Sequence, residues 1–157
     1  MISIVTYHDK YLPDFKRLNL EWLERYDLIE QYDLDILNDP HGTVIDKGGC
    51  IFIAVEDGRA IGTAGLAKIN DMEYELVKMA VDPAYRGKGI GKKLLSHCLD
   101  TAKKLHAEKI SLYSNSQLQT ALQLYGQFGF MHVKVTDSPL LTADVKMELY
   151  FKNNQDQ

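Results

Sequence analysis

Cysteine, proline and tryptophan are scarce in this chain, with two, four and one among 157 residues. The two cysteines, Cys50 and Cys98, share no metal-like spacing, and each sits in an apolar pattern. That excludes a disulfide framework and a zinc cluster, and both read as reduced core residues. No apolar run approaches the about 18–20 residues that a membrane span needs. Residues 1–8 lack a basic stretch followed by a long apolar one, so they read as a strand and not as a signal peptide. The expectation is a cytoplasmic protein with no membrane contact. Positive charge is also short, the net charge being −4. This excludes the broad basic face that nucleic-acid binding requires. The five histidines, His8, His41, His97, His106 and His132, are scattered and form no metal pattern.

What is present suits one ordinary domain: 45% apolar and 25% charged residues. Residues 1–151 read as that domain and 152–157 as a flexible tail. Against the acidic balance, Arg86, Lys88, Lys92 and Lys93 fall within eight residues. A local basic cluster in an acidic chain points to a specific anion.

Hydrophobic periodicity divides the chain into elements. Residues 2–7 read as a strand. Residues 13–27 read as a helix, with Phe15, Leu18, Trp22, Leu23 and Tyr26 at helical spacing and Pro13 in the first turn. Asp33 is placed to cap a second helix running to about Leu37, stopped by Asp39-Pro40. Residues 41–49 read as a loop. Three antiparallel strands follow, at 50–55, 59–68 and 73–81, joined at Asp57-Gly58 and Asn70-Asp71. A helix then begins near Gly89, with Leu94, Leu95, Cys98, Leu99, Ala102 and Leu105 along one face. Residues 109–114 read as a strand parallel to the 73–81 strand. Ser116 to Gln119 fits a capping box opening a helix that buries Leu118, Ala121, Leu122, Tyr125 and Phe128 and ends at Gly129. Strands at 130–135 and 144–151 complete a β-α-α-β-β-β-α-β-α-β-β order, a mixed α/β sheet in which only the central pair needs a crossover helix.

The stretch Arg86-Gly87-Lys88-Gly89-Ile90-Gly91 joins a strand to a helix. A helix N-terminus has free N–H groups and partial positive charge, and glycines let an anion approach the backbone. This is a phosphate cradle. It is not a P-loop, because Arg86 stands at the first glycine position and Lys93 follows Lys92. It is not a dinucleotide fingerprint either, because residue 92 is Lys where the third glycine belongs.

The same stretch matches Gln/Arg-x-x-Gly-x-Gly/Ala. Residues 81–95, and a second segment from Asn115 through Ala121, Leu124-Tyr125 and Gly129-Phe130, resemble the GCN5-related N-acetyltransferase (GNAT) family. The element order agrees over almost the whole chain. The resemblance implies a mostly antiparallel sheet with a splayed central parallel pair, flanked by about four helices. It implies an enzyme moving the acetyl group of acetyl-CoA to a primary amine by direct attack in a ternary complex, without a metal. The coenzyme pyrophosphate then lies on Arg86, Gly87, Lys88, Gly89, Ile90, Gly91 and Lys92. The pantetheine arm lies along Met79, Ala80 and Val81, with a backbone N–H near Met79 for the oxyanion, and Asn115 faces the coenzyme.

An alkyl ammonium of pKa about 10.4 must lose a proton before it attacks, and the leaving thiolate must gain one. The resemblance makes Tyr125 the general acid and Glu75 the base, with Glu73 as fallback. Glu73, Glu75 and Val77 share a strand face if no bulge intervenes. In the family the first helices form the acceptor pocket, so Glu21, Trp22, Tyr26, Glu30 and Tyr32 become candidate substrate contacts. Trp22 also reads as core, Tyr125 as a buried helix aromatic and Glu75 as a solvated strand charge. Rival readings are an acyl-CoA sensor without catalysis, a protein-lysine acetyltransferase and a longer acyl donor. The acceptor is a small-molecule or protein amine, and a homodimer is a further expectation from the family.

Overall fold

The computed structural model describes residues 1–152. Seven strands form one sheet: β1 (Ile2–Thr6), β2 (Cys50–Glu56), β3 (Arg59–Lys68), β4 (Glu73–Val81), β5 (Lys109–Ser114), β6 (Met131–Val133) and β7 (Val145–Tyr150). Their spatial order is β1-β2-β3-β4-β5-β7-β6. The helices are α1 (Leu12–Arg25), α2 (Gln31–Asn38), α3 (Ile90–Lys104) and α4 (Gln119–Gln127). Only β4 and β5 run parallel, and α3 is the crossover between them. The element order is the one that periodicity predicts. Among the described residues no helix is long and apolar enough to cross a membrane.

The pleat of β2 builds a core on each face of the sheet. Ile51 and Ile53 pack with Phe15 of α1 and Ile36 and Leu37 of α2. Phe52 and Ala54 pack with the Leu94, Leu95, Cys98 and Ala102 stripe of α3. Each fully buried Leu or Ile contributes about 1.5–3 kcal/mol over an exposed one. Cys98 is buried, Cys50 is half-buried, and both are free thiols.

Two irregularities shape the centre. First, β4 and β5 pair only over Glu73–Glu75 and Lys109–Ser111, and beyond that register the two strands part. Second, Lys78 takes a left-handed conformation at φ 53°. Thr63 pairs with Ala80 and Gly65 with Val77, so Lys78 and Met79 together face the single residue Ala64. This is a β-bulge, and a non-glycine residue there costs about 1–2 kcal/mol. Buried polar groups hold it. The Thr63 hydroxyl donates to the Lys78 carbonyl (2.7 Å) and accepts from Asn19 Nδ2 (3.1 Å).

Several local expectations are corrected. Asp33 is not the cap of α2 but lies at its third position, where its carboxylate accepts from Glu30 N (2.9 Å), and Glu30 is the cap. The 41–49 loop contains a wide helical turn at His41–Ile45. Ser116 opens no capping box, because its N–H and hydroxyl are spent on Asp144 (2.8 and 2.7 Å), and α4 starts at Gln119. On α4 only Tyr125 is buried, while Ala121, Leu122 and Leu124 are partly buried against the core. Leu105 ends α3 exposed. The 130–135 strand shortens to β6. The proposed tail falls, beyond Lys152, outside the described residues.

Candidate active site

Beyond Val81 the chain turns under tight control. Asp82 is buried and donates its N–H to the Ile61 carbonyl (2.8 Å), while its carboxylate accepts from Ala84 N (2.9 Å) and faces Arg17 and Arg59, each at 3.5 Å. This fixes the exit from β4. Gly87 and Gly89 follow at φ 81° and 80°, a conformation that L side chains rarely adopt. A Cβ at either position meets no heavy atom within 4 Å, so the turn presents bare backbone to open space. Gly89 caps α3 without a side-chain bond, which leaves the first N–H groups of a 15-residue helix free.

That bare backbone lines a cleft of about 320 Å³, whose walls are Met79–Val81 of β4 on one side and Ala121, Leu124 and Tyr125 of α4 on the other. A second, narrower cavity of about 110 Å³ lies where β4 and β5 splay. Trp22, Met79, Leu118 and Tyr125 line both, so the two spaces meet at these residues.

The model of the acetyltransferase (GNAT) family matches residues 9–130. The chain belongs to the GNAT family. The N-acetylaspartate synthetase of Xenopus tropicalis is 35% identical over 109 residues, which are 67% of this chain and 40% of that protein. This chain therefore spans less than half of that relative's length. A GNAT-family acetyltransferase from Staphylococcus aureus Mu50 superposes with a TM-score of 0.89 at 26% identity, covering 97% of this chain and 100% of that one. The PaiA N-acetyltransferase of Thermoplasma acidophilum, solved in complex with coenzyme A, superposes at 0.76 with 20% identity, covering 96% and 99%.

Within this GNAT chain the predicted site residues separate into three groups. Met79, Ala80, Val81, Arg86, Gly87, Gly89, Ile90, Gly91, Lys92 and Tyr125 all line the larger cleft. The Arg86 guanidinium lies 4.9 Å from the Trp22 ring centre and 3.4 Å from Glu21, and its Nε is buried without a partner. Lys88 lies apart, its ammonium 5.1 Å from the Tyr85 ring centre.

Glu75, Tyr32, Trp22 and Asn115 line the smaller cavity. Glu75 is no solvated strand charge: it is 6% exposed. Burial pushes its carboxyl up to about 7, Glu73 adds to this, and Lys78 and the Tyr32 phenol pull against it. Burial, then the charges of Glu75 and Asp33, push the Tyr32 phenol well above its ordinary range. Asn115 does not line the larger cleft; its Nδ2 donates to the Thr142 carbonyl (2.7 Å) and its Oδ1 accepts from Gln117 N (3.0 Å). Tyr125 is 8% exposed, and burial pushes its phenol up to about 12. The phenol keeps its proton at neutral pH.

Glu21, Tyr26, Glu30 and Glu73 line neither space. Glu21 pairs with Arg25 (2.7 Å), and Tyr26 packs edge-on against Trp22 (5.2 Å). Glu73 accepts from the Ser111 hydroxyl (2.9 Å) and lies 3.4 Å from Lys109. Glu30 accepts from Leu141 N (2.7 Å), Thr142 N (2.8 Å) and the Thr142 hydroxyl, so it straps the 138–143 loop onto α2.

Sequence reasoning misses one buried pair. The Lys78 ammonium bonds Asp33, their side chains 8% and 2% exposed, and both line the smaller cavity. The signal is present in retrospect. A lone lysine inside Leu76-Val77-Lys78-Met79-Ala80 has to pair or bulge, and it does both.

Proposed function

We propose that this chain acetylates a small primary amine with acetyl-CoA, by direct attack within a ternary complex. The observation that carries this reading is the meeting of two unlike spaces at Tyr125 and Met79. One presents bare helix N-terminal backbone beside Arg86 and Lys92; the other holds the buried carboxylate of Glu75. The first suits a pyrophosphate. The coenzyme A in the Thermoplasma acidophilum relative supports coenzyme A as the ligand. The open faces of Gly87 and Gly89 and the unpartnered Nε of Arg86 suit it too.

Acetyl-CoA supplies the activated acyl carbon; the chain supplies position and proton handling. A carboxyl poised near 7 is matched to taking a proton from an ammonium at neutral pH. Glu75 takes the first proton. The nitrogen lone pair then forms the amide bond as the carbon–sulfur bond breaks. The amine's second proton has to reach the sulfur, and Tyr125 is the group between the two spaces that can carry it. A phenol near 12 is too weak an acid to remain ionised beside a thiol of about 8.5. Tyr125 therefore donates its own proton and regains one in the same event. The bulge at Lys78 breaks the ladder beside Met79, and we assign the backbone there to the acyl oxygen. A narrow cavity of about 110 Å³ supports a small acceptor over a wide protein groove.

Initial rates of thiol release, with acetyl-CoA and amine both varied, test the reading. Lines that intersect are expected for a ternary complex. Parallel lines sink direct attack, and coenzyme binding without turnover on any amine favours a sensor.

A further inference from the structure

The geometry points to an acceptor of one class: a small amine carrying a single positive charge and no carboxylate. The inference rests on reading the smaller cavity as the acceptor pocket, and it comes from pairing every charge there. Among the described residues only three lining side chains other than tyrosines ionise: Asp33, Glu75 and Lys78. Lys78 is the only cation of the three, and it is consumed by Asp33 in a buried pair. The charges just behind the lining are also matched. Glu73 faces Lys109, Lys146 lies 3.9 Å from Glu148, and Glu30 holds Leu141 and Thr142. Arg86 stands on the coenzyme side, between Trp22 and Glu21. The tyrosines Tyr32, Tyr113 and Tyr125 carry no charge that a carboxylate could use, and the Tyr113 hydroxyl is already turned to the Thr136 carbonyl (3.0 Å).

What remains is the buried carboxyl of Glu75, with the Tyr32 phenol in the same lining. One ammonium balances it. The proton that then passes from nitrogen to Glu75 leaves amine and carboxyl both neutral, so no charge is stranded in the cavity. A carboxylate on the acceptor adds a buried negative charge with no free cation to meet it, and an unpaired buried charge is strongly disfavoured. Amino acids with a free carboxylate are thus excluded. This separates the chain from what the name of the Xenopus tropicalis relative implies for that protein, whose product contains an aspartate.

The test compares amino acids with the matching amino alcohols, alanine with 2-amino-1-propanol and valine with valinol, pairs of similar size and amine basicity. Aspartate is included, and thiol release is followed in the wild-type chain. The amino alcohols are expected to exceed the amino acids at least 100-fold in kcat/KM. Equal or better turnover of alanine, valine or aspartate overturns this inference and leaves acetyl transfer standing. Turnover of no amine at all, with acetyl-CoA still bound in a calorimeter, removes the acceptor reading and this inference with it. A second arm uses Asp33→Asn, which releases the Lys78 cation into the cavity. In folded variant the alcohol-to-acid ratio is expected to fall at least tenfold, and an unchanged ratio overturns the role given to the pair. If that variant does not fold, the wild-type comparison decides alone.

Discussion

The two halves of the proposed site, one for the coenzyme and one for the acceptor, are made in different ways. The coenzyme half is largely one continuous run, the end of β4, the glycine turn and the start of α3, and it works through backbone. The acceptor half gathers side chains from α1, α2, β4, β5 and the 138–143 loop. The first depends on what glycine permits and tolerates most changes elsewhere. The second depends on buried charges that must match, so a single side chain carries both its stability and its chemistry.

The largest expected break in this comparison is Asp33→Ala. It strands the Lys78 ammonium inside the acceptor half and should cost about 3–5 kcal/mol of folding stability, read by denaturant unfolding. The double variant Asp33→Leu with Lys78→Met should recover most of that loss, since apolar replacement of a buried pair is often neutral. A loss below 1 kcal/mol in the single variant would show the pair to be solvated.

Next is Tyr125→Phe, at the boundary between the halves. It should lower kcat about 100-fold and leave the coenzyme Kd within about twofold, because the proton carrier goes and the backbone cradle stays. Unchanged turnover removes Tyr125 from the mechanism. In the coenzyme half, Gly89→Val forces a β-branched residue to φ 80° and should weaken coenzyme binding about tenfold. An equal loss of amine affinity would dissolve the distinction between the halves.

That distinction also governs what could be read in the sequence. The glycine turn was legible because the residues that make it are neighbours, and spacing alone separates it from a P-loop. The strand and helix order was legible for the same reason. The acceptor half was not, because its decisive contacts are long-range. Asp33 meets Lys78 across 45 residues, and Glu30 meets the 138–143 loop across 111. Asp33 and Glu30 therefore read as a cap and a substrate contact, when one is a counterion and the other a cap and strap. Ser116 carries a capping-box pattern, yet Asp144, 28 residues away, takes its donors. The bulge escapes the alternation rule, since nothing local at Lys78 announces φ 53°, and Asn19 and Thr63 hold it from other elements.

The most diagnostic change is Glu75→Gln, because it affects chemistry and stability in opposite directions. As the base, Glu75 must be ionised, so wild-type kcat/KM should rise with pH through about 7 and level off above it. The variant should lose that rise and fall about tenfold in kcat/KM above pH 7. Stability runs the other way. The folded carboxyl holds its proton to about 7 and the unfolded one to 4.5, so between those values the folded state binds more protons and wild-type stability declines as pH increases. The variant has no charge to bury. It should match the wild type near pH 4 and exceed it above pH 7, by up to about 3 kcal/mol. Parallel stability curves from pH 4 to 8 would mean that water reaches Glu75, and the acceptor half would then lose the burial that sets it apart from the coenzyme half.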